Sequence, residues 1–99
     1  MKEIRRSSVF IKWHKNLRDR QAVARINTRI DRLAEGNFGD TKPVGDGLSE
    51  LRIDYGPGYR VYFKNTGKKI VILLCGGDKR TQQADIINAR KIAQDFQEE

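Results

Sequence analysis

Hydrophobic residues along the chain fall into blocks with two different periods. Phe10, Trp13 and Leu17 recur at helical spacing and share one face, and Ser7 or Ser8 ahead of them can cap the first turn. Ile4, upstream, lies in a short run that reads as a first strand. Val23, Ile26, Ile30 and Leu33 repeat at intervals of 3, 4 and 3, which predicts a second helix over 19–35, closed by Gly36. About one turn of chain separates the two helices, so they are expected to form an antiparallel hairpin. Residues 36–47 hold four glycines and a proline and read as a loop. The period then changes to two. Leu51 and Ile53 alternate with Glu50, Arg52 and Asp54, and a turn at Asp54–Gly58 leads into a second alternating strand, Tyr59–Lys64. After a turn over 64–68, Ile70–Cys75 is continuously apolar, as expected of a strand buried on both faces. Gly76-Gly77 is expected to break that strand. Thr81 can cap a last helix with Ile86, Ala89, Ala93 and Phe96 on one face.

The predicted order is β-α-α-β-β-β-α. This is an α+β fold, a mainly antiparallel sheet with the N-terminal helical hairpin packed on one face. Ninety-nine residues are expected to form a single domain, 1–99, with no room for a doubly wound nucleotide-binding sheet or a barrel.

Charge sharpens this picture. The net charge is +7, and it is unevenly spread. Residues 1–32 carry ten Lys/Arg against three acids, whereas residues 33–99 carry ten of each. Arg18, Arg25, Arg29 and Arg32 form a stripe about 110° around the second helix from its apolar face. Such a stripe is either a solvated face or a footprint for a polyanion or acidic partner. One cysteine, Cys75, excludes an internal disulfide framework, and one histidine, His14, excludes a zinc cluster or a Cys-His nucleophile pair. No cofactor is called for. The chain has neither an apolar run of membrane-spanning length nor a signal-peptide pattern at its start, so a cytoplasmic protein without membrane contact is expected.

Strand alternation selects the candidate chemistry. With Leu51, Ile53, Val61 and Phe63 facing the helices, Arg52, Arg60, Tyr62 and Lys64 face away together, on what should be an open sheet face. Lys79 and Arg80 follow the third strand. Guanidinium groups match phosphate oxygens bidentately, so this set suggests a phosphate site, although alternating strands place charge outward in any case.

The segments Leu51–Phe63 (LRIDYGPGYRVYF) and Leu74–Ile86 (LCGGDKRTQQADI) carry a resemblance. Together with Ile30–Leu33 and Gly36–Asp40, they resemble the RelE/ParE/HigB toxin superfamily. More narrowly, they resemble its branch of addiction-module killer proteins related to a phage-derived protein. The resemblance implies a bacterial type II toxin neutralised by a cognate antitoxin, usually of helix-turn-helix type. RelE-like members cut mRNA on the ribosome; ParE-like members inhibit DNA gyrase without cutting RNA. It also implies that Arg60 faces the scissile phosphate, with Arg52 on the preceding strand, Lys79 after the last strand and Arg80 beside it. Asp85 stands where RelE has a tyrosine, and this chain has none of the C-terminal histidines of several HigB proteins.

Arg52, Arg60 and Lys79 would stabilise charge, while Asp85, Lys79 and Tyr62 remain open for proton transfer. Asp85 is expected to be ionised, orienting Lys79 or the start of the last helix. Arg25, Arg29 and Arg32, on the far side of the sheet from that site, are expected to hold ribosomal RNA, with docking of the antitoxin as the other use. Three functions compete: a ribosome-dependent mRNA endoribonuclease, a non-enzymatic gyrase inhibitor and a nucleic-acid-binding module.

Overall fold

The structure, a computed structural model, describes residues 1–67 and 69–96. Lys68, the end of the expected second turn, lies outside them. The elements are β1 (Glu3–Arg6), α1 (Ser8–Lys15), α2 (Arg20–Ala34), β2 (Thr41–Gly45), β3 (Leu48–Ile53), β4 (Tyr59–Thr66), β5 (Ile70–Asp78), a 3₁₀ turn (Lys79–Thr81) and α3 (Gln82–Phe96). The fold class is α+β. The five strands run in the order β1-β5-β4-β3-β2, antiparallel except for β1, which lies parallel to β5.

Both N-terminal helices start where a side chain satisfies the free amides of the first turn. Ser7 Oγ accepts from Phe10 N at 2.9 Å and donates to the Leu74 carbonyl, tying α1 to β5. Asp19 Oδ1 accepts from Gln21 N and Ala22 N at the start of α2. Phe10, Ile26, Ile30 and Leu33 then pack with Leu51, Ile53, Val61, Phe63, Val71 and Leu73 on one face of the sheet. Burial on this scale is the main source of stability in a domain of this size.

Four expectations change, three of them local. The loop over 36–47 contains β2, which pairs with β3 through a turn at Asp46-Gly47. Pro43 obscures the strand in the sequence, yet it is tolerated because β2 is an edge. Second, Gly76-Gly77 does not break β5. Val61 pairs with Gly76 and Arg60 with Gly77, and the glycines are needed because large groups lie flat on the strand there. A Cβ on Gly76 would overlap the Trp13 indole on one face, and a Cβ on Gly77 would overlap the Asp85 carboxylate on the other. Third, the last helix is capped from Asp78, whose carboxylate accepts from Arg80 N in a capping box with Thr81, rather than by Thr81 alone.

The sheet face opposite α1 and α2 is not open. α3 covers it, burying Leu48, Tyr62, Ile72, Leu74, Cys75, Ala89 and Ala93 in a second core. A bulge helps. Tyr62 pairs with Cys75 and Phe63 with Leu73, so Leu74 is the extra residue, and both Leu74 and Cys75 join the α3 side.

The packing of Trp13 on Gly76 should be mutually dependent. Gly76→Ala is expected to cost about 2 kcal/mol by forcing the indole off the strand. In a Trp13→Ala background the same change should cost little. Urea denaturation of the four proteins checks this.

Candidate functional site

α3 covers only part of its face, and what it leaves uncovered is the end where β3, β4 and the turn after β5 meet. Arg52 and Arg60 are directly opposite each other across β3 and β4. Like charges in that position repel, and each has its own carboxylate. Arg52 donates from Nε and Nη2 to Asp40 Oδ1 at 3.1 and 2.8 Å, at the surface. Arg60 is paired differently. Its Nε lies 2.5 Å from Oε1 of Glu50, a carboxylate only 1% exposed. Gln82, the first residue of α3, donates to both Glu50 oxygens at 3.0 Å. Nη1 of Arg60 donates to the carbonyls of Gly58 and Tyr59 at 2.9 and 3.2 Å.

Gly58 has φ +81°, and a side chain there would press on Arg60 Nη1 and Lys79 Cβ. The glycine thus lets the 54–58 turn lie close against both Arg60 and the base of the Lys79 side chain. The result is a cleft of about 360 Å³ lined by Arg52, Arg60 and Lys79, with Asp40, Asp54 and the turn backbone.

The structure brings together Arg52, Arg60 and Lys79 of the expected set. It separates the others. Tyr62 is completely buried beneath α3, so it offers no surface to RNA. Burial pushes its phenol above its ordinary range, so it stays protonated, and its oxygen has no hydrogen-bond partner among the described residues. Lys64 lies further along β4, opposite Ile72, in a separate hollow with Asp46 and Arg90. Arg80 turns outward to Asp78, with Nη2–Oδ2 3.1 Å, and is 81% exposed. Sequence alternation missed Glu50 altogether by reading it as an outward charge.

Asp85 sits over Gly77, which pairs with Arg60, so its carboxylate is on the same sheet face as Arg60 but does not line the cleft. Its oxygen accepts from Thr81 Oγ1 at 2.5 Å rather than from Lys79. Burial raises its affinity for a proton, outweighing the Thr81 hydrogen bond. Cys75 is buried and its thiol is pushed up to about 12, so it is not a nucleophile at neutral pH. His14 is engaged with Asn27 at 2.8 Å and stacked on Phe10.

The arginine stripe of α2 lies closer to the cleft than expected. Arg25, Arg29 and Arg32 line a hollow of about 540 Å³ that shares Ile53 and Asp54 with the cleft. The reason is Arg29, which reaches past α2 to the end of β3. It donates to the carbonyls of Arg52 at 2.5 Å, Asp40 at 3.1 Å and Phe38 at 3.5 Å. Arg29 is thus a brace that holds the cleft wall. Arg25 lies over the Tyr55 ring at 4.7 Å, and Tyr55 in turn bonds Asp19, the cap of α2.

Among the described residues no helix is long and apolar enough to cross a membrane, and no cluster of His, Cys, Asp and Glu fits a metal ion. Comparison with known families agrees with the resemblance read from the motifs, placing the chain in a family of the RelE/HigB-like toxin superfamily. The chain belongs to the family described as phage derived protein Gp49-like (DUF891), whose model matches residues 12–97. A protein of Haemophilus influenzae, described as an uncharacterized protein, is 54% identical over 94 residues, 95% of each chain.

The raised proton affinity of Asp85 has a thermodynamic consequence. The folded state holds this proton more tightly than the unfolded chain, so stability falls as pH rises above the ordinary carboxylate value of about 4. Asp85→Asn should therefore melt higher than the parent at pH 7, with the gap closing as the pH falls below the ordinary carboxylate value and Asp85 becomes neutral in the folded and unfolded states alike. A lower melting point for Asp85→Asn at pH 7 would mean that the ionised carboxylate stabilises the fold.

Proposed function

We propose that the chain is the toxin of a type II toxin–antitoxin pair and acts as a ribosome-dependent mRNA endoribonuclease. The observation that carries this reading is the convergence of Arg52, Arg60 and Lys79 on one open cleft, with Arg60 fixed by a buried carboxylate. Cleavage by the 2′-hydroxyl builds negative charge on the phosphate, and preorganised donors aimed at that charge are the largest contribution a protein can make. Arg60, with Nη2 uncommitted, takes a phosphate oxygen. Arg52 and Lys79 stand on either side of it. Lys79, which lines the cleft, is the candidate for moving protons, while Asp85 lies on the same face outside it. Ribosome binding holds the message in line for attack. Arg25 and Arg32 bind ribosomal RNA next to the cleft, and Arg29 acts by shaping the wall. The partners are mRNA, the ribosome and a cognate antitoxin, and the chain acts in the cytoplasm.

The test is induction of this chain alone in bacterial cells, with mapping of message 5′ ends. New ends within translated messages support the nuclease. Growth arrest with intact messages and damaged DNA points instead to gyrase inhibition, and no arrest points to a binding module. Arg60→Lys, which retains the charge but not the planar fork, should slow cleavage by about 10²-fold on purified ribosomes. Arg25→Gln/Arg32→Gln should instead weaken ribosome binding and reduce its salt slope by about two units, one for each phosphate that is no longer neutralised.

A further inference from the structure

We infer that Glu50 is a positioning residue for anion binding: buried under the first turn of α3, it fixes the Arg60 guanidinium so that its Nη2 edge alone faces the cleft. The inference rests on the reading of Arg60 as the group that takes the phosphate.

The argument begins with the cost of burying a carboxylate. At 1% exposure Glu50 needs compensation from charge and from hydrogen bonds, or its burial is prohibitive. It has both. Arg60 Nε supplies the charge at 2.5 Å, and Gln82 Nε2 spans the two oxygens at 3.0 Å each. Neither partner is close to Glu50 in sequence; they come from β4 and from the start of α3.

Counting the donors of Arg60 shows what this arrangement does. A guanidinium has one N–H on Nε and two on each terminal nitrogen. Nε is shut off from solvent and pairs with Glu50 by charge, without the alignment of a hydrogen bond and with no other hydrogen-bond partner among the described residues. Nη1 is committed to the carbonyls of Gly58 and Tyr59. Nη2 is the nitrogen without a protein partner among the described residues. A long side chain that would otherwise sample many rotamers is thereby held in one, with a single free edge. Such prior ordering removes most of the entropy lost when the anion binds.

The sign of the effect separates this role from simple electrostatics. Glu50 is a negative charge beside a site for negative ligands. If charge alone mattered, Glu50→Gln would strengthen anion binding. If Glu50 positions Arg60, the same change weakens it.

The probe is a short fluorescein-labelled oligoribonucleotide fully 2′-O-methylated, which binds but cannot be cut through its own 2′-oxygen. Its dissociation constant is measured by anisotropy for the parent, Glu50→Gln, Arg60→Lys and the double variant. Glu50→Gln should weaken binding by about tenfold, the scale of one hydrogen bond to a charged group. Arg60→Lys should weaken it by at least as much, and Glu50→Gln should add nothing to Arg60→Lys. In ¹⁵N NMR spectra the Arg60 Nε–H should exchange slowly with water in the parent and rapidly in Glu50→Gln.

Weakening by Arg60→Lys together with unchanged or tighter binding by Glu50→Gln overturns the positioning role and leaves the reading of Arg60 intact. No effect of Arg60→Lys overturns both. Additive losses in the double variant make Glu50 a structural residue and overturn the inference. If Glu50→Gln does not fold, Gln82→Ala replaces it; freeing the carboxylate without touching Arg60 should weaken binding by about threefold, and unchanged binding overturns the inference.

Discussion

The buried ion pair between Glu50 and Arg60 is the constraint from which the rest of the candidate site follows. A carboxylate under α3 requires a cation, and β4 supplies it from the adjacent strand; it also requires hydrogen-bond donors, and α3 supplies Gln82. The second core therefore has a polar end. Leu48, Tyr62, Leu74 and Cys75 lie under the body of α3, and the Glu50–Arg60–Gln82 group closes it where the helix begins. Beyond that point the sheet is uncovered and the cleft opens. Ion pairs of this kind contribute little net stability compared with a well-packed apolar pair, because desolvation offsets attraction. What they impose is geometry, since any displacement of either partner strands a charge.

The surrounding elements serve the same geometry. Arg29 ties α2 to the carbonyls of Arg52 and Asp40, and the Asp40 carboxylate then holds Arg52. Gly58 lets the β3–β4 turn fold against Lys79. Gly76 and Gly77 make β5 thin enough for Trp13 on one side and Asp85 on the other. The cleft is thus lined by residues of β3, β4 and the turn between them, with Asp40 from the loop before β2 and Lys79 from the 3₁₀ turn after β5.

Much of this architecture is legible in the sequence because period and side-chain size report it directly. Leu51 and Ile53, with Val61 and Phe63, identify the face that meets α1 and α2, and the same alternation correctly pairs Arg52 with Arg60. The helix spacing of Ile26, Ile30 and Leu33, with Asp19 and Gly36 at the ends, locates α2 nearly to the residue. Where the reading fails, it fails because a polar side chain in a strand need not be an exposed one. Glu50 and Tyr62 alternate onto the face opposite the hairpin, and nothing in their own strands says that α3 will cover them. Only long-range pairing does. Gly76-Gly77 reads as a break because a glycine pair has no side chain to reveal the indole or the carboxylate that needs the space. The Asp46-Gly47 turn, by contrast, carries a recognised hairpin signal that, despite Pro43, could have found β2.

The central claim is that Glu50 and Arg60 form one buried unit in which each exists for the other. Its most direct test is the folding free energy of the parent, Arg60→Ala, Glu50→Gln and the double variant, measured by urea denaturation at neutral pH. Arg60→Ala alone strands a buried carboxylate and should cost about 3 kcal/mol, the lower end of the cost of breaking a buried pair. Adding Glu50→Gln removes that stranded charge, so the double variant should be more stable than Arg60→Ala alone. A double variant less stable than Arg60→Ala, by the full cost of Glu50→Gln measured on its own, would show that the two residues act independently and would contradict the account.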